Sequence, residues 1–139
     1  MKAFDTDILT QILRGNPAFT ARAAQVPVAE QALPIVVAEE MIRGRLNTIR
    51  QAEAGRAKIS IDRAYELFEQ TLKDIREFFV LAYTTQAEAQ YLAWRAEKRR
   101  GSTHDLRIAA ICVSLSITLV TRNRGDFDSL PGLSVEFWD

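Results

Sequence analysis

Cysteine and histidine are nearly missing from this chain of 139 residues, which has one of each, Cys112 and His104. A lone thiol inside an apolar stretch reads as a buried structural cysteine, not as half of a disulfide or as a nucleophile. One imidazole excludes a His-rich metal site. No apolar run approaches the ~20 residues that span a bilayer. The start, Met1-Lys2-Ala3-Phe4-Asp5, meets an acid too early for the apolar region of a signal peptide. These absences lead to the expectation of a soluble, cytoplasmic protein with no membrane contact. Net charge is missing too: 18 Lys and Arg balance 18 Asp and Glu, so composition gives no global signal for nucleic acid. Repeats, low-complexity tracts and linkers are absent, and a single domain over residues 1–139 is expected.

Apolar residues make up 47% of the chain, enough for a packed core. Apolar stretches alternate with helical patterns, which predicts βαβ units and a mainly parallel sheet. The pattern predicts strands at 2–5, 34–38, 78–83, 117–121 and 133–137. It predicts helices at 8–14, 18–31, 39–57, 61–76, 85–100 and 103–116. In 61–76, Ala64, Leu67, Phe68, Leu72 and Ile75 recur at helical spacing. Helix 103–116 is apolar nearly all round, as a central helix must be. Gly101 is the expected cap of helix 85–100, and Gly44 reads as a point of close packing between helix and sheet.

Acids stand where these strands end. Asp5 follows the first strand, Glu39 and Glu40 follow the second, Asp105 opens the apolar helix, and Asp126 lies past Ile117 to Thr121. Ligands of open α/β sheets bind beyond the carboxyl ends of the strands. Carboxylates gathered there repel one another and call for a cation. An all-oxygen donor set suits Mg²⁺ or Mn²⁺ rather than Zn²⁺, so metal-assisted phosphodiester hydrolysis is the leading chemistry. Each acid also has a local reading. Asp7 reads as a helix cap. Glu39 and Glu40 favour a helix N-terminus, and because neighbouring helical residues point about 100° apart, only one of them aims into a cleft. Ser102 and Asp105 have capping-box spacing, as do Asn123 and Asp126. His104 is a candidate general acid beside Asp105. The cations Arg95, Lys98, Arg99, Arg100, Arg107, Arg122 and Arg124 lie next in sequence to the acids, and read either as phosphate ligands or as complements of a helix dipole.

Four segments together carry a resemblance: Phe4-Asp5-Thr6-Asp7; Glu40-Met41-Ile42-Arg43-Gly44; His104-Asp105-Leu106-Arg107-Ile108-Ala109-Ala110; and Leu119-Val120-Thr121-Arg122-Asn123 through Asp126-Phe127. In this order they resemble the PIN-domain ribonucleases, especially VapC-type toxins of toxin–antitoxin pairs. The resemblance runs from residue 2 to the C-terminus. It implies a three-layer α/β/α fold with a mainly parallel sheet of about five strands, and dependence on Mg²⁺ or Mn²⁺. It also implies a homodimer and inhibition by a cognate antitoxin protein. Asp5, Glu40 and Asp105 match the three core acids. The resemblance selects Glu40 over Glu39. Asp126 and Asn123 share the fourth, variable place, and Asp7 stands where many members have Asn. The implied reaction is hydrolysis of RNA by an endoribonuclease, with Thr6 and Thr121 supporting the acids. Arg43, Arg99, Arg100 and Arg122 are candidates for the RNA backbone.

Two other readings are open at this stage. Asp5-Thr6-Asp7 and Gly125-Asp126-Phe127-Asp128 look like pieces of a haloacid-dehalogenase-type phosphatase, although the chain is short for one. A non-catalytic α/β binding module, its acids serving only as caps, is the second.

Overall fold

In the computed structural model, which describes residues 1–139, five short strands lie side by side and all are parallel. They are β1 (Lys2–Phe4), β2 (Gln31–Pro34), β3 (Phe79–Leu81), β4 (Thr118–Thr121) and β5 (Val135–Phe137). The helices are α1 (Thr6–Leu13), α2 (Pro17–Ala23), α3 (Ile35–Glu53), α4 (Ile61–Arg76), α5 (Thr85–Ala96), α6 (Thr103–Leu115) and α7 (Arg124–Phe127). A parallel sheet needs crossovers, and its strands are apolar because helices cover both faces. The architecture is the expected three-layer α/β/α sandwich around a five-stranded sheet.

The strand order is β3-β2-β1-β4-β5. From β1 the chain builds outward through β2 to β3, then returns to the far side of β1 for β4 and β5. The reversal falls between β1 and β4, the switch point at which open sheets bind ligands. Asp5 N–H donates to the Val120 carbonyl at 3.0 Å and holds the two strand ends together.

The core follows from the three central strands. Ala3, Phe4, Ala32, Leu33, Leu119 and Val120 are fully buried, and α6 presses Leu106 and the run Ile108 to Cys112 against them. Burying a side chain of this size stabilises the fold by roughly 1.5–3 kcal/mol. Burial pushes the Cys112 thiol up to about 12, so it packs as a small apolar group, as expected.

Several boundaries differ from the sequence pattern, each for a local reason. The run Ile35 to Ala38 was expected in a strand but opens α3, while β2 is Gln31–Pro34. Pro34 has no N–H to give a sheet, so it ends the strand and leads into the helix. Val36, Val37 and Ala38 are buried while Ile35 is exposed, a helical rather than an alternating pattern. Glu40 therefore sits in the second turn of α3, not directly at a strand end. The expected helix 18–31 is three elements: α2, a 3₁₀ turn at Val28–Glu30, and the start of β2. Helix α5 stops at Ala96, and Lys98 takes the left-handed backbone (φ 57°). Arg99 and Arg100 thus lie in the turn beyond the helix. Gly44 does not allow close packing: a Cβ there would meet no atom within 4 Å.

Candidate metal centre at the strand ends

Asp5 is the first residue beyond β1 and is 9% exposed. Its Oδ1 accepts the Thr6 N–H at 2.6 Å and caps α1, and its Oδ2 accepts the Thr121 hydroxyl at 2.6 Å. Thr121 Oγ1 in turn accepts the Asn123 N–H at 3.1 Å. One relay thus fixes the Asp5 carboxylate across the β1–β4 crevice. Burial holds its pKa above the ordinary value, Thr121 and Thr6 pull it back, and Asp7 and Asp126 push it up again. Asp7 was expected to cap α1, but Asp5 does so, because the helix begins at Thr6. Asp7 is exposed and pairs with Arg122 at 3.4 Å.

Glu40 reaches the same place from α3. Its side chain is 29% exposed against 45% for Glu39. Burial raises its pKa; His104 and Thr6 lower it; Asp5 and Asp105 raise it. Glu39 turns away and accepts from Arg43 at 2.6 Å. His104 lies between the two glutamates, Nε2 3.4 Å from Glu39 and Nδ1 3.7 Å from Glu40.

Asp105 is set by the start of α6, where Ser102 accepts the Asp105 N–H at 3.1 Å. Burial raises Asp105, Ser102 lowers it, and Asp5 and Asp126 raise it. Asn123 caps α7 by accepting the Asp126 N–H at 3.2 Å, and its amide donates to the Asp126 carboxylate. Both residues of the pair are thereby committed to one another.

Asp5, Thr6, Asp7, Thr10, Glu40, Asp105, Arg122 and Asn123 line one open cleft of about 570 Å³. Asp126 is not among its lining residues, although its charge is felt at Asp5 and Asp105. Thr10 is not singled out by sequence, yet its i+4 spacing from Thr6 puts it on the same helix face. The donor chemistry fits a hard divalent cation: all-oxygen, anionic and mutually repulsive. Glu40 Oε1 and Thr6 Oγ1 are both buried at the cleft wall, and neither has a well-formed hydrogen bond to any other group. The convergence is looser than a closed site. No three of the Asp, Glu, His or Cys groups stand close enough together to hold one ion.

The expected basic residues separate into two groups. Arg122 lines the acid cleft and lies over the Phe19 ring, 5.3 Å from its centroid. Arg43 lines the adjoining groove on α3. Arg99 is tied to Glu97 at 2.8 Å, and neither Arg99 nor Arg100 lines the cleft. Arg107 stacks instead over Tyr91 and Tyr83, at 4.9 and 5.9 Å.

Comparison with curated proteins gives no match. Solved structures are similar over nearly the whole chain. A chain of FitAcB from Neisseria gonorrhoeae superposes with a TM-score of 0.77 at 19% identity, covering 97% of this chain and 96% of that one. A chain of DNA-bound VapBC from Salmonella typhimurium gives 0.75 at 22% identity, covering 99% and 98%. A chain of VapBC2 from Rickettsia felis, bound to a DNA fragment from their promoter, gives 0.74 at 18%, covering 99% and 98%. At such identities the likeness establishes the fold. The PIN domain model itself matches residues 2–133, and the chain therefore belongs to the PIN domain family.

Proposed function

We propose that this protein is a divalent-metal-dependent endoribonuclease and the toxin of a toxin–antitoxin pair. One observation carries the reading. Asp5, Glu40 and Asp105 come from three distant segments to one cleft at the β1–β4 switch point, each with its pKa raised by burial and by its acidic neighbours. Such a set is strained without a cation.

Asp5, Glu40 and Asp105 would hold Mg²⁺ or Mn²⁺, with Asp126 or Asn123 completing the shell through water. When bound, the ion polarises the phosphodiester and makes water acidic enough to attack near neutral pH. The chain's own groups do the rest. Thr121 fixes the Asp5 carboxylate, and the Thr6 hydroxyl lies against Glu40, whose ionised form it favours. Arg122, at the cleft wall, offers a cation to a phosphate. RNA enters single-stranded, the form in which its bases can be splayed out and read.

The similar structures, among them VapBC bound to DNA and FitAcB, support the antitoxin assignment, and the homodimer rests on the family resemblance. A cognate antitoxin silences the enzyme, and two copies form a homodimer. No helix is long and apolar enough to cross a membrane, and the cytoplasm is the compartment in which such a pair would act. The phosphatase reading loses its basis, since the PIN domain model matches residues 2–133. The deciding experiment is cleavage of total RNA by purified protein with Mg²⁺, with EDTA, and as Asp5→Asn. Cleavage should need both the ion and Asp5. Equal cutting in all three conditions overturns the metal site, and none in any of them overturns the activity.

A further inference from the structure

Beyond Glu40, the outer face of α3 borders a second groove of about 930 Å³. Glu39, Glu40 and His104 line its acidic end, next to the candidate metal centre; Arg43, Asn47 and Arg50 continue along it. Residues 43, 47 and 50 follow the four-then-three spacing of one helix face. At 1.5 Å per residue they run for about 10 Å, or roughly three nucleotides of a stacked strand at ~3.4 Å each. Arg43 is held by Glu39 at 2.6 Å. Arg50 makes no ion pair or side-chain hydrogen bond, and it is exposed. As a cation in the last turn of α3 it complements the helix dipole. That role explains neither Asn47 nor the groove.

Gly44 supplies an independent observation. A glycine inside a helix costs ~1 kcal/mol relative to alanine, and here no packing contact repays it, because a Cβ would meet nothing within 4 Å. The bare backbone lies one turn beyond Glu40, at the crossing between this groove and the one bounded by α1, α3 and α4. A chain passing toward the carboxylates crosses α3 there with no side chain in its way.

We propose that the Arg43–Asn47–Arg50 face of α3 is the track for the single-stranded RNA flanking the scissile phosphate. The inference rests on the ribonuclease reading and adds where the strand runs. Charge selects the occupant. The groove is acidic where a metal-bound phosphate would be cut and basic where the next phosphates would lie. Ile42 and Leu46 are its only apolar lining residues, too few for the apolar centre of a protein interface.

The test uses full-length protein carrying Asp5→Asn, so that RNA is bound but not cut, with Arg50→Gln and Asn47→Ala/Arg50→Gln added. Binding of a fluorescent single-stranded decamer and a trinucleotide is measured across a salt series, after melting curves have shown each variant folded. Arg50→Gln should weaken decamer binding several-fold and flatten its log–log salt slope by about 0.7. The loss should be larger for the decamer than for the trinucleotide. Identical affinities and slopes, with wild-type protein still cleaving RNA, overturn the track and leave the ribonuclease standing. A changed sedimentation coefficient with intact RNA affinity also overturns it, and assigns the face to a protein partner. Wild-type protein that cleaves no RNA overturns both readings.

Discussion

At the Asp5 carboxylate two demands meet: it caps α1 through Thr6 N–H, and it faces the cleft while bonded to Thr121. Burial and acidic neighbours raise the pKa of Asp5, Glu40 and Asp105 alike. A carboxyl raised on folding contributes stability that is fully present below its unfolded pKa of ~3.9–4.3 and is lost as pH rises through the folded value. Metal-free protein should therefore melt at a lower temperature near neutral pH than under mildly acidic conditions. Glu136, held below the ordinary range by Lys2 at 2.7 Å, acts in a separate, more acidic window. Asp5→Asn should flatten the neutral-side loss in melts with EDTA, and added Mg²⁺ should stabilise the wild type but not this variant. A melting temperature that climbs steadily to neutral pH would refute the assignment of these acids. The two adjacent glutamates give a sharper comparison. Glu40→Gln should remove most cleavage, at least ~100-fold, since it takes a ligand from a catalytic ion. Glu39→Gln should cost far less, because that side chain points toward Arg43. Equal losses in single-turnover assays would undo the distinction.

Among the elements, legibility in the sequence tracks the strength of local periodicity. Helix α4 occupies the residues its spacing predicts, and α6 ends within one residue of the prediction, with Ser116 in the left-handed position beyond it. Strand β2 was misplaced because Ile35, Val36 and Val37 are β-branched, and an apolar run of that length reads equally as strand or helix. Pro34 closes the strand before them, and the parallel register, with Ala32 opposite both Ala3 and Phe79, places the paired residues upstream. The candidate site was less sensitive to this error. The angle between neighbouring helical residues lets only one of Glu39 and Glu40 enter the cleft wherever α3 begins, and it was the family resemblance that selected Glu40. The ties from Thr121 to Asp5 and from Arg122 to Asp7 join residues more than 100 positions apart, and no local pattern encodes them. Gly44 shows the opposite case: a glycine within a helical pattern suggested close packing against the sheet, and the fold leaves it open. Gly44→Ala should stabilise the free protein by about 0.5–1 kcal/mol, seen as a higher urea midpoint at unchanged slope. Destabilisation would mean that the glycine serves the fold after all.

For the whole molecule, a net charge of zero conceals a polarised surface, and the two sheet edges also differ. At the β5 edge, Arg124 lies 4.4 Å from the Phe137 ring centroid and Glu136 is paired with Lys2. At the β3 edge, Phe79 is 62% exposed and Val80 36%, beside Ile35 at 42%. An uncovered apolar edge strand invites pairing with another chain, and the exposed Phe79 ring lies on it. The proposed homodimer supplies an occupant that is always present with the protein, so the β3 edge is where its two copies should meet. Replacing Phe79 with Glu places a charge in that contact while removing little from the core, since the ring is already in water. Sedimentation equilibrium over a range of concentrations should then move from dimer toward monomer. Melting of the isolated monomer should change by no more than about 0.5 kcal/mol, as is usual for exposed positions. If the variant keeps the wild-type mass at every concentration, the β3 edge does not join the copies. A wild type that is monomeric throughout would leave the same apolar edge to the antitoxin, and Phe79→Glu should then weaken that complex instead.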